Sequence, residues 1–319
     1  MSLKNSIITK LLEEMYLVRM TDTHISEKYS EQKMRCPIHL SIGQEGPSAA
    51  MNLNLKKDDL SISYHRSHAH YLNKGGSLKK LIAELYGKKT GCSKGVGGSM
   101  HLIDLKKNFL GSTAIVSNSI PVGVGYAFSR KLKKSNSRVC IFLGDASTEE
   151  GVFYESVNFA ALKNLPVIFF CENNKYSVYS NLDKRQPKFR KIFKMVKSLG
   201  VESYKINSFK PLEIYSFIRK KLKKNLKKPI FFEVDTYRYY EHCGPNLDDN
   251  LNYRPKKEVR LWKGRDPIKL TEKYGLKKNL INQDLINNIK KKIKKNIIKS
   301  FIEAEKDKPL KFKSLNKIL

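Results

Sequence analysis

Two short polar clusters, Gly144-Asp145-Ala146 and Glu172-Asn173-Asn174, each follow an apolar run, and Asp145 and Asn174 stand 29 positions apart. A carboxylate and an amide oxygen are hard oxygen donors. They are too few to cage calcium but suit Mg²⁺ that takes its remaining ligands from phosphate and water. Ser147 and Glu150 have the S-x-x-E spacing of a capping box, so a helix is predicted to start there, offering N–H groups and a positive dipole end to phosphate. The pair therefore reads as a metal-bridged diphosphate site. Each half also has a plainer reading, Asp145 as a helix cap and Asn173-Asn174 as a turn.

Strands and helices must bring those clusters together. Val139–Leu143 and Val167–Cys171 read as buried strands on either side of a helix over Glu150–Lys163, and Ile230–Val234 as a third strand after a basic amphipathic helix around Tyr215–Lys224. Such a crossover returns parallel and right-handed, which puts Asp145 and Asn174 at the carboxyl edge of neighbouring strands, where open α/β sheets bind ligands. The expected fold is α/β, a doubly wound, mostly parallel sheet with helices on both faces. Ser6–Tyr29 reads as an amphipathic helix through Ile7, Leu11, Leu12, Met15, Tyr16 and Val18. The Gly/Ser/His-rich stretch from His39 to about Ser119 reads as mostly loop. Asp284–Ala304 reads as a docking helix with Ile289, Ile293, Ile297, Ile298 and Phe301 on one stripe. No linker divides the chain, so a single domain over 1–319 is expected, with a helical arm over about 1–35 and a helical tail over about 270–319.

Composition narrows the class. The 62 Lys+Arg against 30 Asp+Glu leave a formal net charge of +32, which by itself suggests a nucleic-acid partner. The basic runs, such as Arg219–Lys224 and Lys290–Lys295, are spread along the chain as lysines among Asn and Ile, without the aromatic or arginine patterning that reads bases. They read as solvated helix faces, and no nucleic-acid partner is expected. With 40% hydrophobic residues there is a core to build, and no apolar run approaches the roughly 18 residues of a membrane span. Met1–Asn5 leads into an amphipathic stretch with no export signal, so a cytoplasmic location is expected. Cys36, Cys92, Cys140, Cys171 and Cys243 are scattered and never form C-x-x-C, which points to free thiols rather than disulfides or zinc. Gly123-Val124-Gly125 lacks the third glycine of a dinucleotide fingerprint, since Phe128 stands there.

Gly144-Asp145-Ala146 with Glu172-Asn173-Asn174 resembles the thiamine-diphosphate motif, GDG followed after a strand–helix–strand interval by NN. More narrowly, the chain resembles the E1 α-subunits of 2-oxo acid dehydrogenases acting on pyruvate or acetoin. The resemblance runs through His39-Leu40 with Gly43-Gln44-Glu45, His65-Arg66-Ser67-His68-Ala69-His70, Ala83–Gly87, Thr90–Gly95, Gly97–His101, Ile120–Gly125, Thr236–Tyr239, His242, Tyr253-Arg254 and Asp266–Ile268.

That resemblance implies specific roles. Asp145, Asn174 and the main-chain carbonyl of Tyr176 would hold Mg²⁺, Arg66 and Arg238 would reach the diphosphate, and Gly144, Ala146 and Ser147 would line it. Main chain at Ala114 and Val116 would face the aminopyrimidine. His242 and His39, then His68, are the expected catalytic histidines, because decarboxylating a 2-oxo acid develops negative charge that donors near neutral pH can stabilise. Ala146 stands where a second glycine is usual; were φ positive there, alanine would cost about 1 kcal/mol. The family implies thiamine diphosphate and Mg²⁺ as cofactors. It also implies an E1 β-subunit supplying the activating glutamate in an α₂β₂ heterotetramer, a lipoyl acyltransferase acceptor and a small 2-oxo acid substrate. The loop Tyr240-Glu241-His242-Cys243 keeps one histidine where pyruvate dehydrogenases commonly show His-Gly-His-Ser. An acetyl-transferring dehydrogenase and a non-oxidative carboligase acting on an aldehyde or sugar are thus both carried forward.

Overall fold

The computed structural model describes residues 3–34, 36–225 and 228–310; of the expected arm and tail, residues 1, 2, 35 and 311–319 lie outside them. The strands are β1 (Leu60–Ser63), β2 (Phe109–Ser112), β3 (Val139–Gly144), β4 (Val167–Asn173), β5 (Tyr176–Ser177), β6 (Ser180–Asn181), β7 (Glu202–Ile206) and β8 (Ile230–Asp235). Six of them form one sheet in the order β2-β1-β3-β4-β8-β7, every neighbouring pair parallel, while β5 and β6 make a separate antiparallel hairpin. The chain runs outward from β1 to β2 and then starts again on the other side with β3. A crevice opens at such a reversal, above the carboxyl ends of β1 and β3.

Period-2 alternation sorts the central strands onto two cores. Cys140, Phe142, Ile168, Phe170, Ile230, Phe232 and Val234 face one core. Ile141, Leu143, Val167, Phe169, Cys171 and Phe231 face the other. On the first face lie α1 (Leu3–Lys28), α2 (Glu45–Asn52), α3 (His68–Asn73) and α4 (Leu78–Leu85). The second is covered by α5 (Ser119–Leu132), α6 (Gly151–Leu162) and α8 (Ile192–Ser198), the last preceded by the single turn α7 (Leu182–Arg185). Helices α9 (Pro211–Lys224), α11 (Pro267–Lys277) and α12 (Gln283–Lys306) return to the first face, and α10 (Lys256–Gly264) packs Val259 and Trp262 with Tyr176 and Tyr237. Strands buried on both faces read as continuous apolar runs, which is why β3, β4 and β8 fall where the sequence places them.

Two expectations change, and a third gains detail. The stretch 39–119 is mostly loop, as expected, but it also holds the short elements β1, β2, α2, α3 and α4. These elements are only 4–8 residues long, and Leu60-Ser61-Ile62-Ser63 is buried throughout, so neither its hydroxyls nor its length announce a strand. The Ser147/Glu150 capping box does not form. Asp145–Glu149 makes a 3₁₀ turn, and α6 starts at Gly151 with no side-chain cap bond at Glu150. On α12, Ile298 is exposed, and the stripe runs instead through Ile286, Ile289, Ile293, Ile297, Phe301 and Ala304. The five cysteines are free. Among the described residues no helix is long and apolar enough to cross a membrane.

One packing detail sets a pH response. Glu14 on α1 lies in the groove against α12, where Oε1 accepts from Asn52 Nδ2 at 3.0 Å and no cation pairs with it among the described residues. Burial pushes its pKa up to about 8. From the unfolded value near 4.5 up to about 8, the folded chain therefore holds the extra proton. Stability should fall as pH rises through that window, by at most about 1.4 kcal/mol per pH unit from this group. Glu14→Gln should remove the slope, so that its melting temperature exceeds that of the wild type increasingly from pH 5 to pH 8. Parallel curves across that range would refute the assignment.

Candidate active site

The loops following β1, β2, β3 and β4, together with a segment after β8, meet in one cleft. Its lining includes Tyr64, His65 and Arg66 after β1, Ala114 and Val116 after β2, Gly144–Ser147 at the end of β3, Asn174 and Tyr176–Val178 after β4, then His242 and, from the N-terminal side, His39. Of the residues expected from the sequence, all but two thus line one cavity of about 160 Å³. Among the described residues a larger cavity of about 760 Å³ lies behind the glycine-rich segment, but it lacks this convergence of histidines, arginine and carboxylate. The donor set, not the volume, distinguishes the smaller cleft.

The two exceptions sit just behind the lining. His68 is fully buried, with Nδ1 2.7 Å from Asp22 Oδ1 and Nε2 2.9 Å from Ser99 Oγ, so both ring nitrogens are engaged within the protein. Arg238 braces the β5–β6 turn, donating from Nη2 to Val178 O at 2.6 Å and from Nη1 to Asp248 at 3.2 Å. Val178 has φ +52°, an uncommon conformation for a β-branched residue, and this bond helps to hold it.

Pleat alternation divides the Asn-Asn pair. Asn173 turns toward β8, its Nδ2 donating to Glu233 at 2.9 Å, whereas Asn174 faces the cleft with Oδ1 accepting from Tyr176 N at 2.9 Å. A carbonyl oxygen keeps a second lone pair for a cation. Opposite it, the Asp145 carboxylate is buried and paired with Arg185, whose other nitrogen holds Glu149. Burial raises the Asp145 pKa to about 6 despite that arginine, so one guanidinium does not fully compensate the charge. Ala146 is in the 3₁₀ turn with no positive φ, and the alanine carries no backbone penalty.

Arg66 is the complementary charge. It is buried, and its nitrogens meet Leu40 O at 2.7 Å and His242 O at 2.9 Å. It meets no carboxylate among the described residues, and Nε has no partner. Burial, then Arg238, lower its pKa to about 10. A buried cation without a counter-ion is costly unless an anion joins it. By gripping Leu40 and His242 at once, Arg66 also ties together the segments that carry His39 and His242; Gly244 N to Ile38 O at 2.9 Å adds a second tie.

His39, His65 and His242 cluster with ring centroids 4.7–5.2 Å apart. Burial and Arg66 depress all three pKa values, His242 to about 3, so the rings are neutral at neutral pH. Each neutral imidazole has one N–H donor and one acceptor nitrogen, and His39 Nδ1 has no partner among the described residues. The donor set therefore suits an anionic ligand bound with a cation, under neutral imidazoles able to donate or accept a proton. His65, Tyr64, Met100, Ser177 and Val178 were not among the expected site residues, nor was Arg185. Signals were available for His65, beside Arg66 in a family motif, and for Met100, which follows the glycine cluster; the others are set by loop geometry.

The family described as "Dehydrogenase E1 component" matches residues 13–313. The pyruvate dehydrogenase E1 component subunit alpha of Rickettsia bellii is 34% identical over 303 residues, covering 94% of this chain and 91% of the relative. That of Porphyra purpurea is 32% identical over 293 residues, covering 89% and 84%. The mitochondrial alpha-1 subunit of Arabidopsis thaliana is 32% identical over 299 residues, covering 93% and 75%.

Proposed function

Because the chain belongs to the dehydrogenase E1 component family, as a thiamine-diphosphate-dependent α-type component, we propose that it decarboxylates a 2-oxo acid such as pyruvate and passes the acyl group to a lipoyl carrier. The family implies a β-subunit partner and a small-molecule substrate. The observation that carries the reading is the pairing, across one cleft, of a buried arginine without a counter-ion and a buried carboxylate with raised pKa. A diphosphate with Mg²⁺ answers both at once.

In this reading Asp145, Asn174 and the Tyr176 carbonyl hold Mg²⁺. Arg66 and, behind it, Arg238 balance the diphosphate, with Gly144, Ala146 and Ser147 along its path. Ala114 and Val116 offer main-chain groups to the aminopyrimidine. When bound, thiamine diphosphate supplies the electron sink that decarboxylation needs. His39 and His242 donate toward developing negative charge and move protons at their free ring nitrogens, with His65 beside them. His68, shut off from the cleft, acts on the reaction by holding Ser99.

The cleft's cavity is small beside the roughly 300–1,000 Å³ of complete ligand sites, which supports its completion by another chain in an α₂β₂ assembly. The outer faces of α5 and α6 expose Val122, Tyr126, Phe159 and Leu162, and Ile115 and Val116 continue this apolar surface to the cleft. Exposed apolar patches of this kind mark protein contacts. The chain is then one thiamine-diphosphate-binding domain with α1 as its arm and α11–α12 as its tail. Free cysteines support a reducing compartment, for which the cytoplasm is proposed.

The test is reconstitution. Assembled with its β-subunit, the chain should bind thiamine diphosphate with Mg²⁺, consume 2-oxo acid and acetylate lipoamide; alone it should be inactive. Aldehyde condensation without lipoamide acetylation would favour the carboligase, and absence of cofactor binding in the assembly would end the proposal.

A further inference from the structure

The glycine-rich segment Gly91–His101 runs past the cleft, and its course is set from behind by one side chain. Glu84, near the end of α4, is buried at 1% exposure. Its carboxylate pairs with no cation among the described residues. Instead it accepts three main-chain N–H groups of the segment: Ser93 and Gly95 at Oε2, 2.7 and 2.9 Å away, and Gly97 at Oε1, 2.6 Å away. A buried carboxylate needs such compensation, and successive N–H groups that turn inward form an anion nest.

The glycines make room for it. A Cβ on Gly91 would come within 2.2 Å of Glu84 Oε2, and Gly95 takes φ +86° with Lys94 at +59° beside it. The end of α4 is itself anchored, because Leu310 N donates to Gly87 O at 2.9 Å and Lys89 N to Lys308 O at 3.1 Å. At its far end the segment reaches the site. Ser99 Oγ lies 2.9 Å from His68 Nε2 and accepts from His39 N at 3.3 Å, while Met100 lines the cleft. Asp22 completes the chain, with Oδ1 on His68 and Oδ2 accepting from Ser41 N at 2.6 Å. Ser99, His68 and Asp22 have the order of a hydrolytic triad, but all three are buried and none lines the cleft, so the arrangement holds structure rather than attacking a substrate.

We propose that Glu84 is a positioning residue for the cofactor cleft: its carboxylate, seated in the Ser93–Gly97 nest, sets where Ser99 and Met100 stand and, through Ser99, where the His39 main chain stands. This rests on the cofactor reading of the cleft. The experiment uses the assembled α and β chains. Hydrogen exchange over 91–101 and the thiamine diphosphate Kd with Mg²⁺ are measured for wild type, Glu84→Gln, Gly91→Ala and the double variant. Glu84→Gln should speed exchange in that segment and raise the Kd, each by roughly tenfold, with the loss larger on cofactor Kd than on kcat. Exchange in β3 and β4 should be unchanged. Gly91→Ala should act alike by expelling the carboxylate, and the double variant should be no worse than the more severe single one.

Exchange at the wild-type rate in Glu84→Gln, faster exchange throughout β3 and β4, or single-variant effects that multiply in the double variant would each overturn the clamp. A wild-type assembly that binds no thiamine diphosphate would instead sink the functional proposal, and the exchange measurements would still decide whether Glu84 sets the segment.

Discussion

Asp145→Ala should abolish Mg²⁺-dependent thiamine diphosphate binding, raising Kd at least a hundredfold, about 2.7 kcal/mol, while the fold survives. The carboxylate is the one negatively charged donor of the proposed cation site, so its removal takes away both a ligand and the local charge. Stability should be spared for a separate reason. Arg185 keeps Glu149 as partner when Asp145 is gone, so no buried cation is orphaned. Moreover, the raised pKa means that ionised Asp145 opposes folding: the folded state holds its proton between the ordinary value of 3.8 and about 6, and the stabilisation this gives is lost as pH rises through that window. Asp145→Asn separates charge from shape. It keeps the size of the side chain and one acceptor oxygen, and if Asp145 served only to shape the turn it would bind cofactor normally. In the wild type, protonation competes with the cation, so binding should weaken as pH falls below about 6. Normal cofactor affinity in both variants would exclude Asp145 as a ligand.

His242→Ala should lower kcat by about 10²–10⁴, the usual span for a positioned proton donor or acceptor, with cofactor affinity changed much less. The contact that organises this segment is between Arg66 and the main-chain oxygen of His242, so truncating the ring leaves it in place. A loss confined to kcat would then report the imidazole itself. His39→Ala should fall in the same range. With ring centroids 5.1 Å apart, the double variant should lose less than the product of the two. Because burial and two arginines hold His242 neutral down to about pH 3, its own titration in the free enzyme should leave no limb in kcat/KM between pH 5 and 8. A wild-type kcat in His242→Ala would remove it from the reaction.

The pH expectations share one cause. Arg66 and the depressed histidines form a region short of negative charge, whereas Asp145 and Glu14 are carboxylates short of positive charge. At Asp145 and Arg66 the deficits face each other across a cleft, which is how a site for an anion–cation pair differs from ordinary buried ionisation. At Glu14 the deficit faces an α-helix, and only stability should respond.

Legibility from sequence differed by region. Strands β3, β4 and β8 were readable because both their faces are buried, and an apolar run of five residues bounded by polar turns has few other solutions. From them followed the neighbouring positions of Asp145 and Asn174, since a strand–helix–strand crossover allows one hand and one edge. In the region 39–119 the loop character was readable, but the short elements inside it were not. These elements are only four to eight residues long, and residues such as Ser63, His68 and His70 are buried in hydrogen-bonded pairs that no hydrophobic pattern reveals. The capping-box expectation failed because the chain spends Asp145–Glu149 on a 3₁₀ turn that carries Asp145 to Arg185 and Ser147 O to Ser117 Oγ.

By itself, then, the sequence determined the parallel sheet and the two strand ends that carry Asp145 and Asn174, because side-chain alternation and crossover handedness are local rules. Its order of motifs likewise pointed to the family despite a net charge of +32, since that charge lies mostly on solvated faces. Only the tertiary structure decided that His39, His65 and His242 converge across two hundred residues, that Arg66 meets no carboxylate among the described residues, that His68 is shut away on Asp22 and Ser99, and that the Glu84 carboxylate accepts main-chain N–H groups of the glycine-rich segment. These are relations between loops, and a loop's conformation is chosen by what packs against it rather than by its own residues.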